Sequence, residues 1–101
     1  MITMMYTDRI PRRKKRDSIQ QVSDILHTAD KLDGEYLTRI LQRANITHTR
    51  WKRLEPRLIQ RKLLTKNVEL SRGGKPRIYY TTTSRGRRLY KIIGDLYDEL
   101  S

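Results

Sequence analysis

Residues 47 to 57 bring Thr47, His48, Thr49, Arg50, Lys52, Arg53 and Arg57 into one short stretch. Hydroxyls, an imidazole and cations donate hydrogen bonds to phosphate oxygens and to acceptor atoms on base edges. A catalytic set would need an acid, a thiol or a metal-ligand cluster beside them, and the only acid within reach is Glu55. Wound as a helix at about 100° per residue, the stretch separates into two sides. Trp51, Leu54 and Leu58 gather on one; Thr49, Arg53, Arg57 and Gln60 gather on the other, with Arg50 and Lys52 on the flanks. An apolar stripe carrying the chain's single tryptophan docks such a helix on a core and turns the cationic side outward. The chemistry on offer is the binding of a polyanion.

Two further basic groups have the same character. Arg72, Lys75 and Arg77 flank Gly73 and Gly74, a slim turn able to approach a phosphate backbone or a narrow groove. Arg12, Arg13, Lys14 and Lys15 lie in "RIPRRKKR", where Pro11 interrupts any helix and like charges repel. Residues 1 to 16 therefore read as a flexible basic arm that could track phosphates. The formal net charge is +12, yet residues 43 to 91 hold 15 of the 23 Lys and Arg and only Glu55 and Glu69 as acids, so this stretch alone accounts for the excess. A positive field concentrated in this way attracts phosphate and gains from counterion release, whereas a merely solubilising surface would mix its signs.

Other chemistries find little support. With no cysteine, neither a disulfide framework nor a thiolate metal site is available. His27 and His48 have no acidic cluster at ligand spacing, and Asp30, Asp33 and Glu35 crowd a break between helices where capping and solvation account for them. "RGGK" lacks the strand, spacing and helix of a phosphate-cradling loop. No catalytic residue, cofactor, metal or small-molecule ligand is expected. No run approaches the roughly 20 apolar residues of a bilayer span, and "MITMMYTDRIPRRKKR" lacks the apolar stretch of a signal peptide, so the chain reads as cytoplasmic with no membrane partner.

At 101 residues the chain has the length of one small domain with a modest core. Ile19, Val22, Ile25, Leu26 and Ala29 recur at helical spacing and predict a first helix near 16 to 31. After "LDG", Tyr36, Leu37, Ile40, Leu41 and Ala44 predict a shorter second helix that Asn45 ends. Thr47 caps the third helix, whose weak point is Pro56, a residue that removes a ladder hydrogen bond and should bend or shorten it. "LLTKNVELS" and "RIYYTTT" around "RGGKP" predict a two-stranded hairpin with Tyr79 and Tyr80 on opposite faces. Thr83 caps a last helix carrying Leu89, Ile92, Ile93, Leu96 and Leu100 as an apolar seam, more than three short helices readily cover, which predicts a homodimer. Helix, helix, helix, hairpin, helix is the order of a winged helix-turn-helix: mainly α, a two-stranded wing, the domain over residues 17 to 82 and a C-terminal dimerisation helix over 83 to 101.

With the elements so placed, the sequence resembles the small archaeal winged-helix DNA-binding proteins, a family of chromatin-associated proteins and transcriptional regulators. The resemblance rests on "LTRILQRANIT", with Thr38-Arg39-Ile40 followed by Ala44-Asn45-Ile46, and on "YTTTSRG", where Tyr80, Thr83 and Gly86 fit the pattern; it spans about residues 18 to 97. It implies double-stranded DNA binding, with the third helix in the major groove, by a homodimer whose protomers meet along Leu89, Ile93, Leu96 and Leu100. Two other readings of the charge stay open. One is an RNA-binding or ribosome-associated basic protein, for which paired aromatic platforms are missing. The other is a winged-helix module that docks on an acidic protein.

Overall fold

A computed structural model describes residues 18 to 100. Its elements run α1 (Ser18–Ala29), β1 (Glu35–Tyr36), α2 (Leu37–Ala44), α3 (His48–Gln60), β2 (Leu64–Leu70), β3 (Pro76–Thr82) and α4 (Ser84–Leu100). The first helix begins in the expected register, its inward residues Ile25, Leu26 and Ala29 fully buried, and ends two residues short of the expected boundary. Asn45 stops α2 by taking φ 55°, a left-handed conformation that its short polar side chain tolerates, and the Ile46 N–H turns back to the Leu41 carbonyl at 3.2 Å. Thr47 caps α3 as its position predicts, its hydroxyl accepting the Arg50 N–H at 3.2 Å.

Pro56 does not end α3, which spans 13 residues through it. Trp51 before the proline and Leu58 after it are both buried, so packing on each side holds the helix across the missing donor. The hairpin forms in the expected place, with register from Leu64↔Thr82 to Leu70↔Pro76. A third strand joins it: β1 pairs with β3 through Glu35↔Tyr80 and Tyr36↔Tyr79, giving the order β1-β3-β2. Tyr36, whose spacing suggested the second helix, is therefore in a strand, at the N-cap position of α2. Two residues are too few to show alternation, so only the partner strand reveals them. Gly34, at φ 75°, permits this pairing, because a Cβ there would lie 2.6 Å from the Tyr80 carbonyl oxygen.

One core joins the elements through Ile25, Leu26, Ile40, Trp51, Leu64 and Tyr80. Tyr80 meets Trp51 edge-on at 5.2 Å, while Tyr79 lies half-buried on the other sheet face against Tyr36. The Thr83 hydroxyl accepts the Gly86 N–H at 3.0 Å and donates to the Lys62 carbonyl at 2.7 Å, capping α4 and tying it to the end of α3. Gly86 is required there because a Cβ would collide with the Leu63 carbonyl oxygen. The apolar seam of α4 divides. Ile93 is buried and Leu89 half-buried against its own domain, whereas Ile92, Leu96 and Leu100 are 61, 54 and 76% exposed. Among the described residues no helix is long and apolar enough to cross a membrane.

Candidate nucleic-acid interface

Thr47, His48, Thr49, Lys52, Arg53 and Arg57 are all exposed along one side of α3. Lys52, Arg53 and Arg57 make no ion pair or hydrogen bond among the described residues. The helix's one acid points elsewhere. Glu55 accepts a hydrogen bond from the Tyr80 hydroxyl and sits 3.4 Å from Lys66 Nζ. Burial, with the Glu55 carboxylate second, pushes the Tyr80 phenol far above its ordinary range, so it remains the donor in this contact. The carboxylate is spent on docking α3 to the sheet, and the outer side keeps cations alone.

At the hairpin tip Arg72 and Lys75 are exposed around a tight turn in which the Gly74 N–H donates to Ser71 and the Ser71 N–H to Lys75, both at 2.9 Å. Arg77 is placed differently. Its guanidinium stacks 4.4 Å over the Tyr36 ring, and the Tyr36 hydroxyl donates to Glu69, the residue paired with Arg77 across the strands. That hydrogen bond raises the Tyr36 phenol above its ordinary range. Arg77 is thus committed to the outer sheet face, an arrangement that depends on β1 and so has no signal in sequence.

Arg50 is also engaged within the protein. It is half-buried, with Nε donating to Gln21 Oε1 and an Nη donating to the Ser18 hydroxyl, both at 2.7 Å. Arg12, Arg13, Lys14 and Lys15 lie outside the described residues.

A second concentration of arginine occupies the start of α4. Arg87 holds both carboxylate oxygens of Asp30, at 2.9 to 3.2 Å, and the Tyr90 hydroxyl donates to the same carboxylate at 2.5 Å. The Arg87 hydrogen bonds keep the Asp30 carboxyl below the usual range against the opposing effect of burial. Arg85 and Arg88, with Arg61 from the end of α3, surround a depression of about 470 Å³ floored by Leu63, Leu89 and Ile92. Arg61 joins this cluster only through the fold.

No protein-family model matches the chain, and no curated protein matches it significantly in sequence. Solved structures do. A PadR-like transcription factor from Bacteroides fragilis superposes with a TM-score of 0.63 at 22% identity, covering 79% of this chain and 81% of that one. Sso10a-2, a DNA-binding protein from Sulfolobus solfataricus, superposes with a TM-score of 0.62 at 20% identity, covering 82% of this chain and 80% of the other. The fold is a winged helix. In winged-helix terms α2 and α3 form the helix-turn-helix, β2 and β3 the wing, and α4 the added C-terminal helix. At these identities the likeness establishes architecture, and what the two neighbours bind remains a property of those proteins.

Proposed function

We propose that this winged-helix protein binds duplex DNA, with α3 in the major groove and the wing tip on the backbone or in the minor groove. The observation that carries the reading is the outer side of α3: Lys52, Arg53 and Arg57 exposed and unpaired among the described residues, with the helix's sole carboxylate turned into the sheet. A helix fills a major groove, long cations neutralise phosphate, and the first-turn groups Thr47, His48 and Thr49 are where such helices meet base edges. Arg72 and Lys75 extend the contact from the wing. We assign Arg12, Arg13, Lys14 and Lys15 to the same backbone, because the arm precedes Ser18, which is bonded to α3's first turn.

The same proposal includes a homodimer through α4. Ile92, Leu96 and Leu100 form an exposed apolar stripe, with Arg85 and Arg88 at its start and Asp95 and Glu99 toward its end. Two such stripes laid antiparallel bury their apolar residues and set opposite charges together. The role that follows is a transcriptional regulator or nucleoid-associated protein, a reading supported by the two structural neighbours, one a PadR-like transcription factor and the other a DNA-binding protein.

Titration of a fluorescent duplex of about 30 base pairs at several salt concentrations tests the first part. Binding that weakens linearly on logarithmic axes is expected; no binding at low ionic strength rules the function out. Sedimentation tests the second. Replacing Ile92 and Leu96 by Glu should turn a dimer into a folded monomer, and an unaltered chain that sediments as a monomer at high micromolar concentration refutes the dimer.

A further inference from the structure

We infer that Arg50 is a positioning residue that sets the pitch of α3 through Gln21, and that it is not one of the phosphate contacts. The inference rests on the DNA-binding reading above. Gln21 lies on α1, is only 6% exposed, and has both ends of its amide in use. Its oxygen accepts from Arg50 Nε at 2.7 Å, and its nitrogen donates to the Asn45 carbonyl at 3.2 Å. Asn45 is the left-handed residue that ends α2, and Arg50 is in the first turn of α3. One buried amide therefore clasps the turn of the helix-turn-helix at both of its ends, against a third helix.

The guanidinium geometry explains why arginine is needed. Nε and an Nη lie on one edge of a rigid fork, and that edge is filled by Gln21 and by the Ser18 hydroxyl, each at 2.7 Å. Lysine, a point charge on a flexible stem, cannot bridge both acceptors in a fixed direction. Pitch matters because α3 is 13 residues long, or roughly 20 Å at the helical rise. A tilt of about 10° about the first turn displaces the far end by roughly 3 Å and Arg57 by roughly 2 Å, enough to stretch a hydrogen bond of about 2.9 Å from Arg57 to a phosphate past its working range.

Duplex affinity and its salt dependence, measured on the whole chain below its melting temperature, separate positioning from contact. The variants are Arg50→Lys, Arg50→Gln, Gln21→Met and, as a direct-contact control, Arg53→Gln. Positioning predicts that the first three each weaken binding about fivefold to tenfold and lower the salt slope alike, because Arg57 is displaced even in Gln21→Met, which removes no charge, while Arg53→Gln lowers the slope by about one through its own lost contact. Combining Gln21→Met with Arg50→Gln should cost less than the sum of the two, since both break the Arg50–Gln21 bond and only the bonds to Asn45 and Ser18 are separate. If Arg50→Lys binds as the unaltered chain does, or Arg50→Gln lowers the slope while Gln21→Met changes nothing, Arg50 touches phosphate and the inference is overturned. Three variants with unchanged affinity overturn it as well. A second readout needs no DNA: the Arg50 Nε–H should exchange with solvent much more slowly than that of Arg53, and Gln21→Met should erase the difference. Equal exchange in the unaltered protein means the clasp is absent. A chain that binds no duplex at all instead removes the function, and with it the positioning role, while the exchange measurement still reports on the clasp.

Discussion

On α3, Arg53 and Arg57 meet no carboxylate among the described residues, whereas in the first turn of α4 Arg87 is gripped by both oxygens of Asp30. Both helices are arginine-rich, both start with a threonine cap, and both lack an acid in the first turn. They differ in what the fold places opposite them. The start of α4 lies against the end of α1, which supplies Asp30 and Tyr90's partner oxygen, so one of its arginines closes a structural joint. The outer side of α3 has nothing opposite among the described residues, and the helix's single acid is withdrawn to Tyr80 and Lys66. Arginine density alone therefore does not tell a free cationic face from a structural joint. The distinguishing feature is the removal of counter-charge, and packing does the removing.

The largest effect that would break this comparison comes from reversing charge on α3. Replacing Arg53 and Arg57 together by Glu is expected to weaken duplex binding by about a hundredfold or more, with a melting temperature close to that of the parent chain. A pair of reversals that leaves affinity intact would show that the unpaired face is only a solvated surface. Gly86→Ala probes the other side of the comparison. The added methyl meets the Leu63 carbonyl oxygen, so a loss of about 1–3 kcal/mol in denaturant unfolding is expected. Unchanged stability would mean that α4 is not seated against the end of α3 as described.

Asp30→Asn comes next in size. It should lower the melting temperature by a few degrees and spare DNA affinity, whereas equal losses in both would erase the distinction between the two helices. The direction of its pH dependence follows from the depressed carboxyl. Because the folded value lies below the unfolded one, Asp30 contributes in full above the ordinary carboxylate range near about 4. The contribution is lost as pH falls through the lower folded value. The gap in melting temperature between the parent chain and Asp30→Asn should therefore narrow below about pH 4; a gap that widens there contradicts the assignment. The smallest effect sharpens the comparison within α4 itself. Arg85→Gln with Arg88→Gln should change affinity for DNA per protomer by less than about threefold, since these side chains ring a depression by Leu89 and Ile92. A loss as large as that from Arg53 and Arg57 would extend the interface to this second patch.

Much of the architecture could be read from local pattern. Helical spacing located all four helices, Asn45, Thr47 and Thr83 marked ends where the backbone needs a left-handed residue or a hydroxyl acceptor, and the glycine-flanked turn located the wing. Each signal lies within a few residues of the feature it specifies. β1 escaped because its pairing partner, Tyr79 and Tyr80, lies more than forty residues away in sequence and two residues carry no period of their own. The seam on α4 was legible as apolar but not as divided, since both of its halves lie on adjoining sides of one helix and only the neighbours tell them apart.

By itself, the sequence determined where the four helices and the hairpin form, which side of α3 is apolar, and that cations exceed acids through residues 43 to 91, because periodicity, capping and charge are short-range or additive properties. Only the tertiary structure decided which cations are left over. Arg50, Arg77 and Arg87 find Gln21, Tyr36 and Asp30 across 29, 41 and 57 positions of chain, while Arg53 and Arg57 find no such partner among the described residues. Whether a side chain is engaged depends on what other elements bring to within a few ångströms of it, and no local rule encodes that distance.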